Sequence, residues 1–332
     1  MMVKEMSGMR MDYVVGIDLG GTNTKVALVG MDGNLVQEKS AETVVERGPE
    51  KILAQIVEMI KSLADGSTDN CQAIGIGVPG SVNWARDTVV KPPNFPGWVS
   101  VNVTEEIQKL VGRDLPVLVE NDANVAALGS AHFGAGIPYS HFIMITLGTG
   151  VGGAIIVDNQ IFRGQTGGAG EIGHMTINYC GPLARSGVAG AAEAYLGQQF
   201  LTHHARLKLV SRPHSVLHQR AERDLADITS KMLYDAAQDG DKDAIEIFHW
   251  AGHKLGCVIG SAINLLDIRT AIIGGGTSAA GDLILDAARE TVLDFVTPGL
   301  HEGIRILREE RGNDVAMLGA ARLALDFLSG NA

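Results

Sequence analysis

Apolar and polar positions along this chain fall into short apolar runs that end in glycine-rich turns, separated by longer stretches with helical spacing. Tyr13-Val14-Val15-Gly16-Ile17-Asp18 reads as a short buried strand, and Val26-Ala27-Leu28-Val29 as a second. Between them lies the glycine-rich turn Leu19-Gly20-Gly21-Thr22-Asn23-Thr24-Lys25. Asp32-Gly33 is a hairpin signal leading into a third strand around Leu35-Val36. The same order returns with the strand His141-Phe142-Ile143-Met144-Ile145, the turn Thr146-Leu147-Gly148-Thr149-Gly150-Val151-Gly152-Gly153 and the strand Ala154-Ile155-Ile156-Val157. Asp158-Asn159 then turns into Gln160-Ile161-Phe162. Two copies of one strand–turn–strand unit predict duplicated domains. Apolar spacing also predicts helices over residues 49–64, 242–267 and 282–292. Residues 205–230 are polar and basic in patches, and read as a solvated helical excursion.

The apolar run Leu115-Pro116-Val117-Leu118-Val119 predicts another buried strand, and residues 123–132 a helix. Glu120-Asn121-Asp122 joins them, placing Asp122 where a strand hands over to a helix, a usual location for chemistry in an open α/β sheet. Taken alone, the stretch fits a helix cap as well, since Asn and Asp both accept hydrogen bonds from free N–H groups. The glycine turns shift the balance. Glycine lets backbone N–H groups approach an anion without Cβ obstruction, although one such turn is usually only a turn. Two of them could clamp a polyphosphate from both sides. Neither is a P-loop or a dinucleotide turn, because each joins two strands. A third site, Gly274-Gly275-Gly276-Thr277 after the strand Ala271-Ile272-Ile273, is either a plain loop or a backbone surface for a base or ribose.

The 332 residues suit two domains, and 45% apolar content can fill a core in each. Lys+Arg 27 against Asp+Glu 38 gives a formal net charge of -11, which argues against nucleic-acid and anionic-membrane partners. The opening MMVKEMSGMRMDY holds no apolar signal core, and the apolar run 255–266 is too short to span a bilayer. Cys71, Cys180 and Cys257 are scattered and odd in number, as in a reducing compartment. A soluble cytoplasmic protein is expected.

The motifs together resemble the ROK family of sugar kinases within the actin-like ATPase fold. The matching stretches are Asp18 to Lys25, Gly75-Ile76-Gly77-Val78-Pro79-Gly80, Pro92-Pro93-Asn94-Phe95-Pro96-Gly97-Trp98, Glu120-Asn121-Asp122-Ala123-Asn124 and Leu147 to Gly153. Gly170-Glu171-Ile172-Gly173-His174-Met175, Ala236 to Asp241 and Ile272 to Gly276 complete them in family order. The wording from Glu171 to Thr176 looks most like the glucokinase branch. The resemblance implies an α/β protein with two actin-like (ribonuclease-H-like) domains around an ATP and sugar cleft: residues 1–122 plus 316–332, and residues 123–315. It implies Asp122 as general base for phosphoryl transfer to the 6-hydroxyl of glucose. Asn94, Asn121, Asp122, Glu171, His174 and Glu193 match the sugar-binding positions. Asp18, Gly20, Gly21, Thr22, Lys25, Gly148, Thr149, Gly150, Gly275 and Gly276 match the nucleotide site, with Asp18 orienting Mg²⁺ through water. A homodimer, or a pair of dimers, is the assembly expected.

One departure stands out. The family usually follows Glu-x-Gly-His with three cysteines that, with the histidine, hold a structural zinc; here those positions are Ala184, Ser186 and Ala191. Alanine offers no ligand and a serine hydroxyl is a poor one, so no zinc is expected, and residues 187–192 would have to be held by apolar packing. Because that loop shapes the sugar pocket, N-acetylmannosamine, fructose or allose are alternative substrates. A non-catalytic sugar-binding regulator, a sugar-responsive repressor and an actin-like chaperone or filament protein are readings of another class; the short stretch before the first strand and the acidic charge oppose the repressor.

Overall fold

The computed structural model describes residues 11–331 except Arg223 and Asn313. The signal-free reading of the N-terminus falls mostly on residues 1–10, outside the described residues. Two compact units share the chain. The first comprises Met1–Phe133, Arg163–Gly168 and Asp314–Ala332, and the second Gly134–Phe162 and Ala169–Asn313.

In the first unit, β1 (Tyr13–Leu19), β2 (Asn23–Gly30), β3 (Leu35–Glu42), β4 (Cys71–Val78) and, later in the chain, Val117–Asn121 form one sheet. A separate small sheet holds β5 (Ser81–Val82), β6 (Thr88–Val90) and β7 (Ser100–Asn102), which makes Val117–Asn121 β8. The order in the main sheet is β3-β2-β1-β4-β8. The first three strands pair antiparallel, whereas β1, β4 and β8 run parallel. β1 and β4 are apolar nearly throughout because helices cover both faces of the sheet. Helices Gly48–Leu63 and Val103–Val111 bury Ile52, Ile56, Ile60 and Ile107 with Ile17, Ile74 and Ile76 on one side. On the other, Met317 and Ala321 of helix Asp314–Leu328 pack with Val14, Ala27 and Ala73. The C-terminal helix thus returns to the first sheet.

Helix Asp122–Phe133, assigned to the second domain at the sequence level, packs within the first unit. Glycine explains why. A Cβ on Gly129 would lie 1.9 Å from the Val315 carbonyl oxygen, and one on Gly319 1.8 Å from that of Val125. The two helices therefore touch backbone to backbone, a contact that apolar periodicity does not reveal.

The second unit repeats the plan. β9 (Phe142–Leu147), β10 (Val151–Val157), β11 (Gln160–Ile161), β12 (Thr270–Gly274) and β13 (Arg305–Arg308) are ordered β11-β10-β9-β12-β13. Again the hairpin strands are antiparallel and the outer three parallel. The duplication expected from the glycine turns is thus present as one strand order used twice. The long helix Lys242–Leu266 and helix Asp282–Phe295 supply much of the core around Ile143, Ile145 and Ile273.

Residues 205–230 correct the sequence reading. Helix Gln198–Leu209, the single turn Leu217–Arg220 and a further turn at Leu225–Asp227 share this region. Ala205, Leu209, Leu217, Ala221 and Ile228 are buried in the second core, so apolar side chains anchor the segment, while most of its other described residues are exposed or half-buried as expected. These buried positions are spread over the end of helix Gln198–Leu209 and the short turns that follow, so no single helical period runs through them. No helix among the described residues is long and apolar enough to cross a membrane.

Candidate active site

The first unit concentrates polar groups where β8 meets its helix. Asn121 ends the strand, and its Oδ1 accepts hydrogen bonds from the backbone N–H groups of Ala123 (2.9 Å) and Asn124 (3.3 Å). That is the work of a helix cap. Its Nδ2 donates to the Gly80 carbonyl at 3.1 Å, tying the helix start to the turn after β4. Asp122 is the first helical residue, with Oδ1 accepting from Ala123 N at 2.9 Å. Asn121 therefore fulfils the capping requirement that had competed for Asp122.

Beneath this pair, Glu120 is fully buried. Its Oε1 accepts from Asn121 N (2.9 Å) and Asn124 Nδ2 (3.0 Å), while Oε2 meets Arg86 Nε at 3.0 Å and Arg163 Nε at 2.8 Å. Arg163 also donates to the carbonyls of Trp84 (2.8 Å) and Asn83 (2.9 Å), with its guanidinium 4.9 Å from the Trp84 ring centroid. Desolvation holds Arg163 below the usual guanidinium range. Every oxygen of the buried carboxylate is engaged, which is the condition for retaining such a charge. Sequence reasoning quoted Glu120 but missed both arginines, which come from loops with no periodic or motif signal.

Asp18, near the end of β1, is half-buried yet set among dense protein. Desolvation first, and then the charge of Asp122, push its carboxyl up to about 7. Lys25, opposite Asp18 in the β1–β2 ladder, pairs with Asp314 Oδ1 at 2.6 Å. The turn between these strands is closed by Gly20 N donating to Asn23 O at 3.1 Å, and leaves Gly21 and Thr22 exposed. Asn94 adopts φ +66° in the proline-rich loop, which is anchored by the buried rings of Phe95 and Trp98 in edge contact, centroids 5.4 Å apart.

The second unit carries the remaining candidates. In its glycine turn, Gly148 N donates to Gly150 O at 3.0 Å, and the Gly148 carbonyl accepts from Gln198 N at 3.0 Å. A Cβ on Gly148 or Gly276 would meet open space, so both backbones are approachable. Thr149 lies between Gly148 and Gly150, and Gly275 (φ +83°) lies against Leu147 at the foot of the same turn. Glu193 Oε2 accepts from Val151 N at 3.3 Å, linking a predicted sugar residue to the glycine hairpin. Glu171 precedes the turn Ile172–His174 and His174 ends it, with Glu171 Oε2 3.6 Å from His174 Nε2. Gly173 lets this turn lie on β10, because a Cβ there would come within 1.9 Å of the Val151 carbonyl oxygen.

The donor set expected to hold zinc in this family does not fit a metal here. Ala184 and Ala191 are buried in the apolar core, and only Ser186 reaches His174, with Oγ 3.3 Å from Nδ1. Among the described residues, no three His, Cys, Asp or Glu side chains are grouped to hold a metal ion. Residues 187–192 are held by apolar packing of Ala191 and Ala192 together with backbone hydrogen bonds from Ile177 N to Gly190 O (2.9 Å) and Ala192 N to Met175 O (2.9 Å).

The ROK family profile matches residues 14–327. A glucokinase of Thermotoga maritima is 32% identical over 317 residues, covering 96% of this chain and 98% of that protein. A glucokinase of Streptomyces coelicolor is 33% identical over 322 residues, covering 95% and 98%. The crystal structure of a ROK family glucokinase from Streptomyces griseus, in complex with glucose and AMPPNP, superposes with a TM-score of 0.82 at 32% identity, covering 94% of this chain and 99% of that one.

Proposed function

The chain belongs to the ROK family, within the actin-like ATPase superfamily, and on that premise we propose that it is an ATP-dependent hexose kinase of the glucokinase type. It transfers the γ-phosphoryl group of ATP to the 6-hydroxyl of glucose, with Asp122 as the general base. The observation that carries this reading is the Asn121–Asp122 junction. Asn121 caps the helix, so the neighbouring carboxylate is not needed for that task. Phosphoryl transfer depends mainly on positioning and charge neutralisation, and a carboxylate that orients the attacking hydroxyl serves both.

Each unit is read as one actin-like domain carrying one glycine hairpin suited to a phosphate group: Gly20, Gly21, Thr22 and Lys25 in the first, and Gly148, Thr149 and Gly150 in the second. Gly275 and Gly276 give backbone against which a base or ribose can lie. Asn94, Asn121, Glu171, His174 and Glu193 pair the sugar hydroxyls, since a buried hydroxyl left unpaired is costly. Asp18 fits a role toward Mg²⁺, because a carboxylate raised by desolvation first, and then by a second carboxylate, becomes ionised once a cation offsets both. The bound ion supplies charge neutralisation to the phosphates and keeps most of its waters. A cytoplasmic homodimer, or a pair of dimers, completes the proposal.

The product tests the reading. Incubation with Mg·ATP and glucose should yield ADP and a sugar phosphate that glucose-6-phosphate dehydrogenase oxidises. A sugar phosphate that this coupling enzyme ignores would move the site of transfer or the substrate.

A further inference from the structure

We propose that Ser186 is a positioning residue that orients His174 by a hydrogen bond, in the place where relatives of this family use a metal ion. The inference rests on the reading of His174 as a sugar-binding group. Three positions that could have held thiolates have divided into two roles. Ala184 and Ala191 fill the second core, 5% and 0% exposed, while Ser186 alone turns to the histidine.

The serine is presented by a closed loop. Gly187 N donates to the Ala184 carbonyl at 2.9 Å, and Ala184 N to the Val188 carbonyl at 3.0 Å. These bonds form a tight turn with Ser186 near its tip, and Gly187 supplies the left-handed φ of +84°. Bridges pair Leu183 with Ala189, and Thr176 with Ala191. Thr176 Oγ1 also donates to the Ala189 carbonyl at 3.0 Å. The turn is therefore stapled to the segment that directly follows His174, so the Ser186–His174 spacing is set by backbone bonds. Tyr195 is buried, with its hydroxyl oxygen against Gly181, where a Cβ would leave it no room.

The imidazole faces unlike partners. Nδ1 meets the Ser186 hydroxyl at 3.3 Å, and Nε2 faces the Glu171 carboxylate at 3.6 Å. A carboxylate only accepts hydrogen bonds, so it favours the tautomer with the proton on Nε2. Nδ1 is then the acceptor, and the Ser186 O–H donates to it. One ring orientation and one neutral tautomer result, as a second partner commonly imposes on a functional histidine. Nε2–H becomes a fixed donor on the Glu171 side.

Ser186→Ala, Ser186→Thr and the unmodified protein, each as the full chain, test this. In long-range ¹H–¹⁵N spectra at a pH where His174 is neutral, the unmodified protein should show the Nε2–H tautomer. Ser186→Ala leaves Glu171 in place, so it should keep that tautomer while its Nδ1 resonance moves to the position of an acceptor without a donor, and Ser186→Thr should restore the original position. KM for glucose should rise about 3- to 10-fold in Ser186→Ala, the range of one lost hydrogen bond, with KM for ATP moving far less. Spectra of His174 that do not change in Ser186→Ala would overturn the proposal, as would a failure of Ser186→Thr to restore them. The imidazole spectrum does not require turnover: absent activity with the predicted Nδ1 change would refute the kinase reading and leave the Ser186–His174 link standing.

Discussion

Arg163 Nε lies 2.8 Å from Glu120 Oε2, inside the first unit and directly below the Asn121–Asp122 junction. Arg86 approaches the same oxygen at 3.0 Å. Together with the bonds from Asn121 N and Asn124 Nδ2, they hold the last strand residues and the first helical turn in one register. Removing one member of a buried ionic group leaves the others uncompensated. Glu120→Ala should therefore cost about 3–5 kcal/mol in urea unfolding. A loss under about 1 kcal/mol, the range of surface pairs, would mean that the network is solvated.

Asp18 yields a pH prediction of definite sign. Its folded carboxyl is raised to about 7 from 3.8, so the folded state holds its proton over a range where the unfolded chain has released it. The stability from that proton is complete below about pH 4 and is lost as pH rises through 7. Asp18→Asn should stabilise the ligand-free protein at pH 8 by on the order of 1–3 kcal/mol, after allowance for solvent access, and make little difference at pH 4. Equal melting shifts at both pH values would contradict the assigned cause. In the unmodified protein, kcat/KM should rise as the Asp18 carboxyl, raised to about 7, ionises.

Asp122→Asn keeps the size of the side chain and its ability to accept from Ala123 N, while removing the base. The expected result is a folded protein that still binds ATP, with kcat lower by about 10²–10⁴. Near-normal turnover would return Asp122 to a structural role.

Metal analysis of the purified protein should find well under one zinc per chain, because Ala184 and Ala191 lie in the core and Ser186 is the sole polar group facing His174 among the three positions. One tightly held zinc per chain would overturn the ligand argument.

Local signals made much of this legible in advance. The two glycine hairpins foretold a strand order used twice, and the strand-to-helix switch at Asn121–Asp122 marked the candidate site. What stayed hidden depends on distant partners. Arg163 returns to the first unit from a loop after β11, and nothing near it in sequence names Glu120 as its partner. The buried residues among 205–230 are dispersed over the end of one helix and two short turns, so composition outweighed them. Ser186 looked like a lost ligand, and only the loop's own hydrogen bonds bring it to His174.

The most direct test of the central claim is ADP production with Mg·ATP across glucose, mannose, fructose, allose, glucosamine and N-acetylmannosamine. The account predicts sugar-dependent turnover with a clear preference for glucose. Turnover on another hexose would keep the mechanism and replace the substrate. No sugar-dependent ADP from any of them would contradict the account.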